Sequence, residues 1–115
     1  MYDPIKAQLR WTTKLKHVAA AGRAVFPKDE QVADLARNAN ALHYAIAGGA
    51  PDTAEVLIAR CRNAVTRVRA VDDASVEDLA FVDAWKADAR KALNRVANMV
   101  RRNDPDPSEP KVVAR

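Results

Sequence analysis

The chain has 115 residues, a length that suits one domain able to bury a modest core without disulfides. Hydrophobic residues make up 49% of it and aromatic residues only 5%, so alanine supplies much of the apolar content and larger side chains must supply the buried area. The formal net charge of +4 is too mild to define a partner, and the single cysteine excludes an internal disulfide.

The first predicted helix begins at Asp3-Pro4 and extends to about Gly22 or Val25, because Asp is a good N-cap and Pro suits the first turn. Helical spacing predicts an inward arc made of Ile5, Leu9, Trp11, Leu15, Val18, Ala19 and Val25. The outward arc carries a ridge of basic side chains at steps of four, four and three residues, namely Lys6, Arg10, Lys14 and His17.

The second predicted helix restarts after Phe26-Pro27 with acidic residues in its first turn and ends at Gly48-Gly49, a C-cap signal. Its apolar seam, at steps of three and four, consists of Val32, Leu35, Ala39, Leu42 and Ile46. His43 falls on this apolar face, where a hydrogen-bonded core histidine is the expected role.

The third predicted helix extends from Pro51 to about residue 71. Its inward stripe consists of Ala54, Leu57, Ile58, Cys61, Ala64, Val65, Val68 and Val71. Four arginines flank this stripe, Arg60 and Arg67 on one edge and Arg62 and Arg69 on the other. Their stems either cover the seam of the bundle itself, the interpretation we favour, or contact a partner subunit.

The fourth predicted helix extends from Ser75, its N-cap, to Asn103 after a short turn at 72–74. Its wide apolar stripe consists of Phe81, Val82, Trp85, Ala89, Ala92, Leu93, Val96, Met99 and Val100. A second, shorter basic row on this helix consists of Lys91, Arg95 and Arg102.

Four helices with short connections predict an all-α, up-down-up-down antiparallel four-helix bundle over residues 1–103. Residues 104–115 follow with alternating prolines, which predicts an extended C-terminal tail outside the core. No charge-free apolar run approaches the ~18 residues that a membrane span needs, and the first residues do not resemble a signal peptide. We therefore expect a cytoplasmic protein or one carried in a phage particle, and the excess of Arg and Asp is a hint of a GC-rich source.

The sequence contains no catalytic constellation, because the glutamates occur singly and no Cys/His spacing suggests a metal site. The leading hypothesis is therefore a non-enzymatic bacterial or phage interaction protein that docks onto partner subunits through its tail or a helix face. We expect no cofactor, no small-molecule substrate and no membrane partner. Cys61, on an apolar face, is expected to be a buried and inert thiol.

The alternative hypothesis is a nucleic-acid-binding module, because rows of cations on a helix follow a phosphate backbone. The candidate residues are Lys6, Arg10, Lys14, His17, Lys91, Arg95 and Arg102. These rows also fit the solvated faces of amphipathic helices. Trp11 and Trp85 are expected to be inward-facing core anchors, which leaves no aromatic ring among the ridge residues to stack on bases.

The segment Arg37-Asn38-Ala39-Asn40-Ala41-Leu42-His43 resembles the Arg-(four to six residues)-His element of HEPN ribonucleases. In that family, which is also built from helical bundles, the Arg and His of two protomers form an RNA-cleaving site. The resemblance therefore implies RNA cleavage as a remote alternative. Arg37 and His43 lie about 120° apart on an ideal helix, so neither is assigned a catalytic role.

Overall fold

The computed structural model describes residues 3–69 and 75–102, without the side chains of 101 and 102. The helices are α1 (Pro4–Val25), α2 (Glu30–Ala47), α3 (Pro51–Arg67) and α4 (Val76–Arg102). Helix α1 contacts α2 and α4, and α3 contacts the same two neighbours. This order confirms the predicted up-down-up-down antiparallel four-helix bundle. The predicted turn at 72–74 and the extended tail at 104–115 lie outside the described residues.

Short polar side chains cap three of the four helices at their N-termini. The carboxylate of Asp3 accepts hydrogen bonds from the backbone N–H groups of Ile5 and Lys6 at 3.0 and 3.3 Å. Asp29 caps α2 in the same way, and the Ser75 hydroxyl accepts from the Asp78 N–H at 3.1 Å. These bonds satisfy backbone donors that the first turn of a helix leaves without a partner, so each helix begins where the sequence predicts.

Helix α3 ends at Arg67, so the prediction that it extends to about residue 71 is wrong. Val68 has an extended backbone, with φ −67° and ψ 127°, yet its side chain is only 1% exposed. β-Branching lowers the helix propensity of valine slightly, and Val68 is buried in the core from an extended backbone. Its inward position is confirmed, and Val71 lies outside the described residues.

The apolar seams of α2, α3 and α4 form one continuous core, as predicted. The largest fully buried side chains in it include Leu35, Leu42, Leu93, Val65 and Val96. Trp85 is 5% exposed, and its indole N–H donates to the Val18 carbonyl of α1 at 2.6 Å. Its role as a core anchor is therefore confirmed. None of the four helices, over the part of the chain described, combines the length and apolarity needed to cross a membrane.

The buried face of α1 differs from the predicted inward arc. Its buried residues are Ala7, Gln8, Thr12, Leu15, Ala19 and Gly22. Ile5 and Val25, predicted inward, are 40% and 45% exposed. Helix α1 lies close to its neighbours, because Gly22 packs directly against Trp85 and the other buried residues of α1 are mostly small. Leu9, Trp11 and Val18 lie half-buried against the core.

Candidate nucleic-acid interface

The basic rows of α1 and α4 meet at the indole ring of Trp11. The Lys14 ammonium lies 4.3 Å from the ring centroid, and the Arg95 guanidinium carbon lies 5.2 Å from it. Lys14 belongs to α1 and Arg95 to α4, so both rows occupy one side of the bundle. We call Trp11, Lys14, His17, Lys91 and Arg95 the α1–α4 face.

Trp11 itself lies at the boundary between core and surface. The residue is half-buried and packs against the core, while cations from two helices lie over its ring. The expectation that no aromatic ring lies among the ridge residues is therefore wrong. The two neighbouring helices place charge beside the same ring, and the periodicity of either helix alone does not reveal this. The indole N–H is buried and has no hydrogen-bond acceptor among the residues that the structure describes.

Two adjoining grooves give the α1–α4 face its shape. The first, of about 280 Å³, lies between the helices and is bordered by Lys14, His17 and Lys91, with Asp88 as its acidic side chain. The second, of about 450 Å³, shares Lys91 and is bordered by Arg90 and Arg95, with no acidic side chain among the described residues that line it. Sequence analysis missed Arg90, although it directly precedes Lys91. An open, cation-lined surface of this kind suits an extended anion better than an enclosed small molecule.

The remaining ridge residues of α1 continue the row of positive charge. Lys6, Arg10, Lys14 and His17 are all exposed, which confirms the predicted outward arc. Successive members four residues apart lie about 6 Å apart along the helix axis. The Arg102 side chain lies outside the described residues, so five Lys and Arg side chains of the predicted set can be placed.

The four arginines of the third helix region are exposed. Arg62 donates a hydrogen bond to the Asn94 side chain of α4 at 3.1 Å, so it spans the α3–α4 seam of its own bundle. Lys86 lies nearby and contacts the Thr66 carbonyl at 3.5 Å. Burial lowers the pKa of Lys86, with further lowering from the charges of Arg90 and Arg69. The seam between α3 and α4 is therefore also basic.

His43 has the hydrogen-bonded role expected of a core histidine. Its Nδ1 lies 2.7 Å from the Thr12 hydroxyl oxygen, and that hydroxyl donates to the Leu9 carbonyl at 3.0 Å. A hydroxyl has one hydrogen, so both bonds form together when His43 Nδ1 carries a proton. Burial lowers the pKa of His43, and the charge of Lys16 lowers it further. Arg37 is exposed and pairs with Asp34, so Arg37 and His43 have separate partners within the chain.

Other reactive side chains are used structurally. Cys61 is fully buried, and burial raises the pKa of its thiol to about 12, so the thiol stays protonated near neutral pH. Across residues 3–69 and 75–100, no group of three or more His, Cys, Asp or Glu side chains could hold a metal ion.

The geometry defines a small helical bundle in which the α1–α4 face combines cations with an indole ring. No protein-family model matches the chain, and no curated protein or solved structure matches it significantly. The α1–α4 face is therefore the basis on which a function is inferred.

Proposed function

We propose that this chain is a non-enzymatic binding protein whose α1–α4 face binds the phosphate backbone of a nucleic acid. The convergence of Lys14 and Arg95 on Trp11 carries this proposal, because it unites two basic rows on one surface. The Lys and Arg side chains of the two rows that the structure describes are Lys6, Arg10, Lys14, Lys91 and the half-buried Arg95, and His17 lies beside them. Contacts of this kind give affinity without sequence selectivity.

Trp11 contributes by holding the cations in place. A cation–π contact at an exposed site is worth about 0.5–1 kcal/mol. Restricting Lys14 and Arg95 before binding reduces the side-chain entropy that the complex would otherwise lose. Because cations lie over the ring, the first contacts of a nucleic acid are with charge and not with the indole.

Affinity for a DNA duplex at several salt concentrations, measured by fluorescence anisotropy, tests this function. If all five Lys and Arg side chains contact phosphates, the logarithm of the association constant falls with log salt at a slope of about −4.5. The variant Lys14→Glu/Arg95→Glu should weaken binding at least about tenfold and flatten the slope by about two.

The matched control is Arg60→Glu/Arg67→Glu, which changes the net charge equally on exposed positions of α3. We expect the control to retain most of the affinity. Equal losses in both variants would show that net charge, and not the α1–α4 face, controls binding.

The separate partners of Arg37 and His43 support a function without catalysis. The resemblance to HEPN ribonucleases predicts RNA cleavage that is lost in His43→Ala while the fold persists. We expect no cleavage by the unsubstituted chain. Cleavage that tracks His43 would overturn the non-enzymatic proposal.

Self-association or docking onto a partner protein is the second candidate function. An apolar groove of about 290 Å³ at the bundle end where α4 stops favours it, with Ile5 and Val100 in its lining. Light scattering of the full chain, with and without nucleic acid, separates a lone bundle, an oligomer and a nucleoprotein. Deletion of 104–115 should reduce assembly, and an unchanged mass would exclude the tail. Either function suits the interior of a bacterial cell or a phage particle.

A further inference from the structure

The apolar groove lies at one end of the bundle, remote from the connection between α1 and α2. The first turns of α1, the α2–α3 connection and the end of α4 all contribute to it. Its lining includes Ile5, Gln8, Ile46, Pro51, Ala54 and Val100. Ile5 remains 40% exposed at this groove, so a large aliphatic side chain faces an open volume.

We propose that this groove receives residues 111–115 from a second copy of the chain. The proposal rests on the self-association function above and names the receptor and its ligand. Val112 and Val113 are the two large aliphatic residues of the tail, and they are adjacent. A groove of about 290 Å³ has room for one or both of these side chains. Burying these aliphatic side chains would favour the complex, because it removes apolar surface from water.

The charges beside the groove suit this segment. Asp3 and Asp52 are exposed just before and in the first turns of α1 and α3, close in sequence to the lining residues Ile5 and Pro51. Lys6 is the basic side chain that follows Ile5 on the same turn. The carboxylates of Asp3 and Asp52 complement the flanks of the valine pair, which are basic at Lys111 and at Arg115.

The length and composition of the tail favour a second copy over the same chain. Val100 lines the groove and α4 ends at Arg102, so the tail begins beside its own groove. Residues 104–110 include three prolines and residues 103–115 no glycine, a composition that predicts an extended spacer. At about 3.1 Å per residue, seven residues carry the valines roughly 20 Å away. A reversal into the same groove would require a turn that this sequence does not favour.

Each copy then offers one groove and one donor segment. Such a contact joins two different surfaces of the protein, so it is heterologous. The resulting assembly is a reciprocal dimer, a closed ring or an open filament. In every case the average molar mass of the particles in a solution of the full-length chain rises with protein concentration.

Cysteine cross-linking between two distinguishable copies tests the assignment. One copy carries Ile5→Cys and a mass tag, the other carries Val113→Cys, and the two are mixed under mild oxidation. The native thiol, Cys61, is fully buried and does not compete. The control replaces Ile5→Cys with Val25→Cys, because Val25 is 45% exposed at the opposite end of the same helix. We expect mixed disulfides with position 5 and few with position 25.

Light scattering supplies the second measurement. Val112→Asp/Val113→Asp and, separately, Ile5→Asp should each weaken self-association at least about tenfold, whereas Val25→Asp should not. Acidic residues are tolerated in the first turn of a helix, so Ile5→Asp should preserve the fold.

The possible results distinguish a failure of the groove assignment from a failure of the self-association function. A monomeric full-length chain overturns both self-association and the groove assignment. Self-association that survives Ile5→Asp and the valine substitutions overturns the assignment alone. Cross-linking found only within a chain carrying both Ile5→Cys and Val113→Cys shows that the segment returns to its own groove, which also overturns it.

Discussion

Gly22 offers a direct test of how closely α1 approaches α4. A Cβ atom added at Gly22 would lie 2.7 Å from Trp85 Nε1, 2.8 Å from Cε2 and 2.9 Å from Cζ2. These distances are too short for any real contact, so Gly22→Ala must displace either the indole ring or α1. The same indole donates its N–H to the Val18 carbonyl, so displacement also disturbs that bond.

The expected magnitude follows from three terms. Overpacking in a core costs about 1–3 kcal/mol. Weakening the indole hydrogen bond costs about 1 kcal/mol. Replacing glycine by alanine within a helix returns about 1 kcal/mol. Gly22→Ala should therefore lower the free energy of unfolding by about 1–3 kcal/mol, although alanine is the better helix former.

Urea unfolding followed by circular dichroism measures this change. Ala21→Gly, at the neighbouring exposed position of α1, measures the propensity term by itself and should cost up to about 1 kcal/mol. A stabilised Gly22→Ala protein would refute the tight packing of α1 against Trp85. A double-mutant cycle with Trp85→Phe should show favourable coupling, since the smaller ring makes room for the methyl group.

Two further predictions concern polar groups at the edge of the core. Trp11→Phe should change the free energy of unfolding by less than a typical aromatic truncation. The substitution removes a buried N–H that has no acceptor within the described part of the chain and whose burial costs about 1–3 kcal/mol. A loss of stability larger than that of Trp85→Phe in urea unfolding would contradict this. The pKa of His43 is lowered below 6.5 in the folded chain, so the unfolded chain binds more protons as pH falls. The free energy of unfolding should therefore decrease below about pH 6.5. In thermal unfolding, the melting temperature of His43→Gln should fall less between pH 7 and pH 5 than that of the unsubstituted chain. Identical pH profiles for the two proteins would exclude His43 as a contributor.

Most of the bundle could be predicted because three of its helices carry large aliphatic residues at helical spacing. Leu35, Leu42 and Leu93 define their seams whatever the neighbouring helices do. Helix α1 differs, because its buried face depends on the absence of bulk at Gly22 and on a Thr12 hydroxyl that finds partners in the fold. A hydrophobicity pattern assigns inward positions to large apolar residues and so misplaces this face.

The candidate site was predictable as residues but not as a surface. Periodicity identified the two basic rows, yet their relative position depends on how α1 and α4 rotate about their own axes. That rotation is set by the contact of Gly22 with Trp85 and by the half-buried position of Trp11. The role of Trp11 beside both rows is therefore a property of the assembled bundle.

Lys14 and Arg95 lie within about 10 Å of each other because they share one indole ring. That separation is comparable to the screening length of about 10 Å in 0.1 M salt, so the two cations repel each other across the boundary between α1 and α4. An anion bound between Lys14 and Arg95 would offset this repulsion and stabilise the packing of α1 against α4. Ligand occupancy should thus raise the melting temperature of the whole bundle, which makes heat denaturation a gauge of binding.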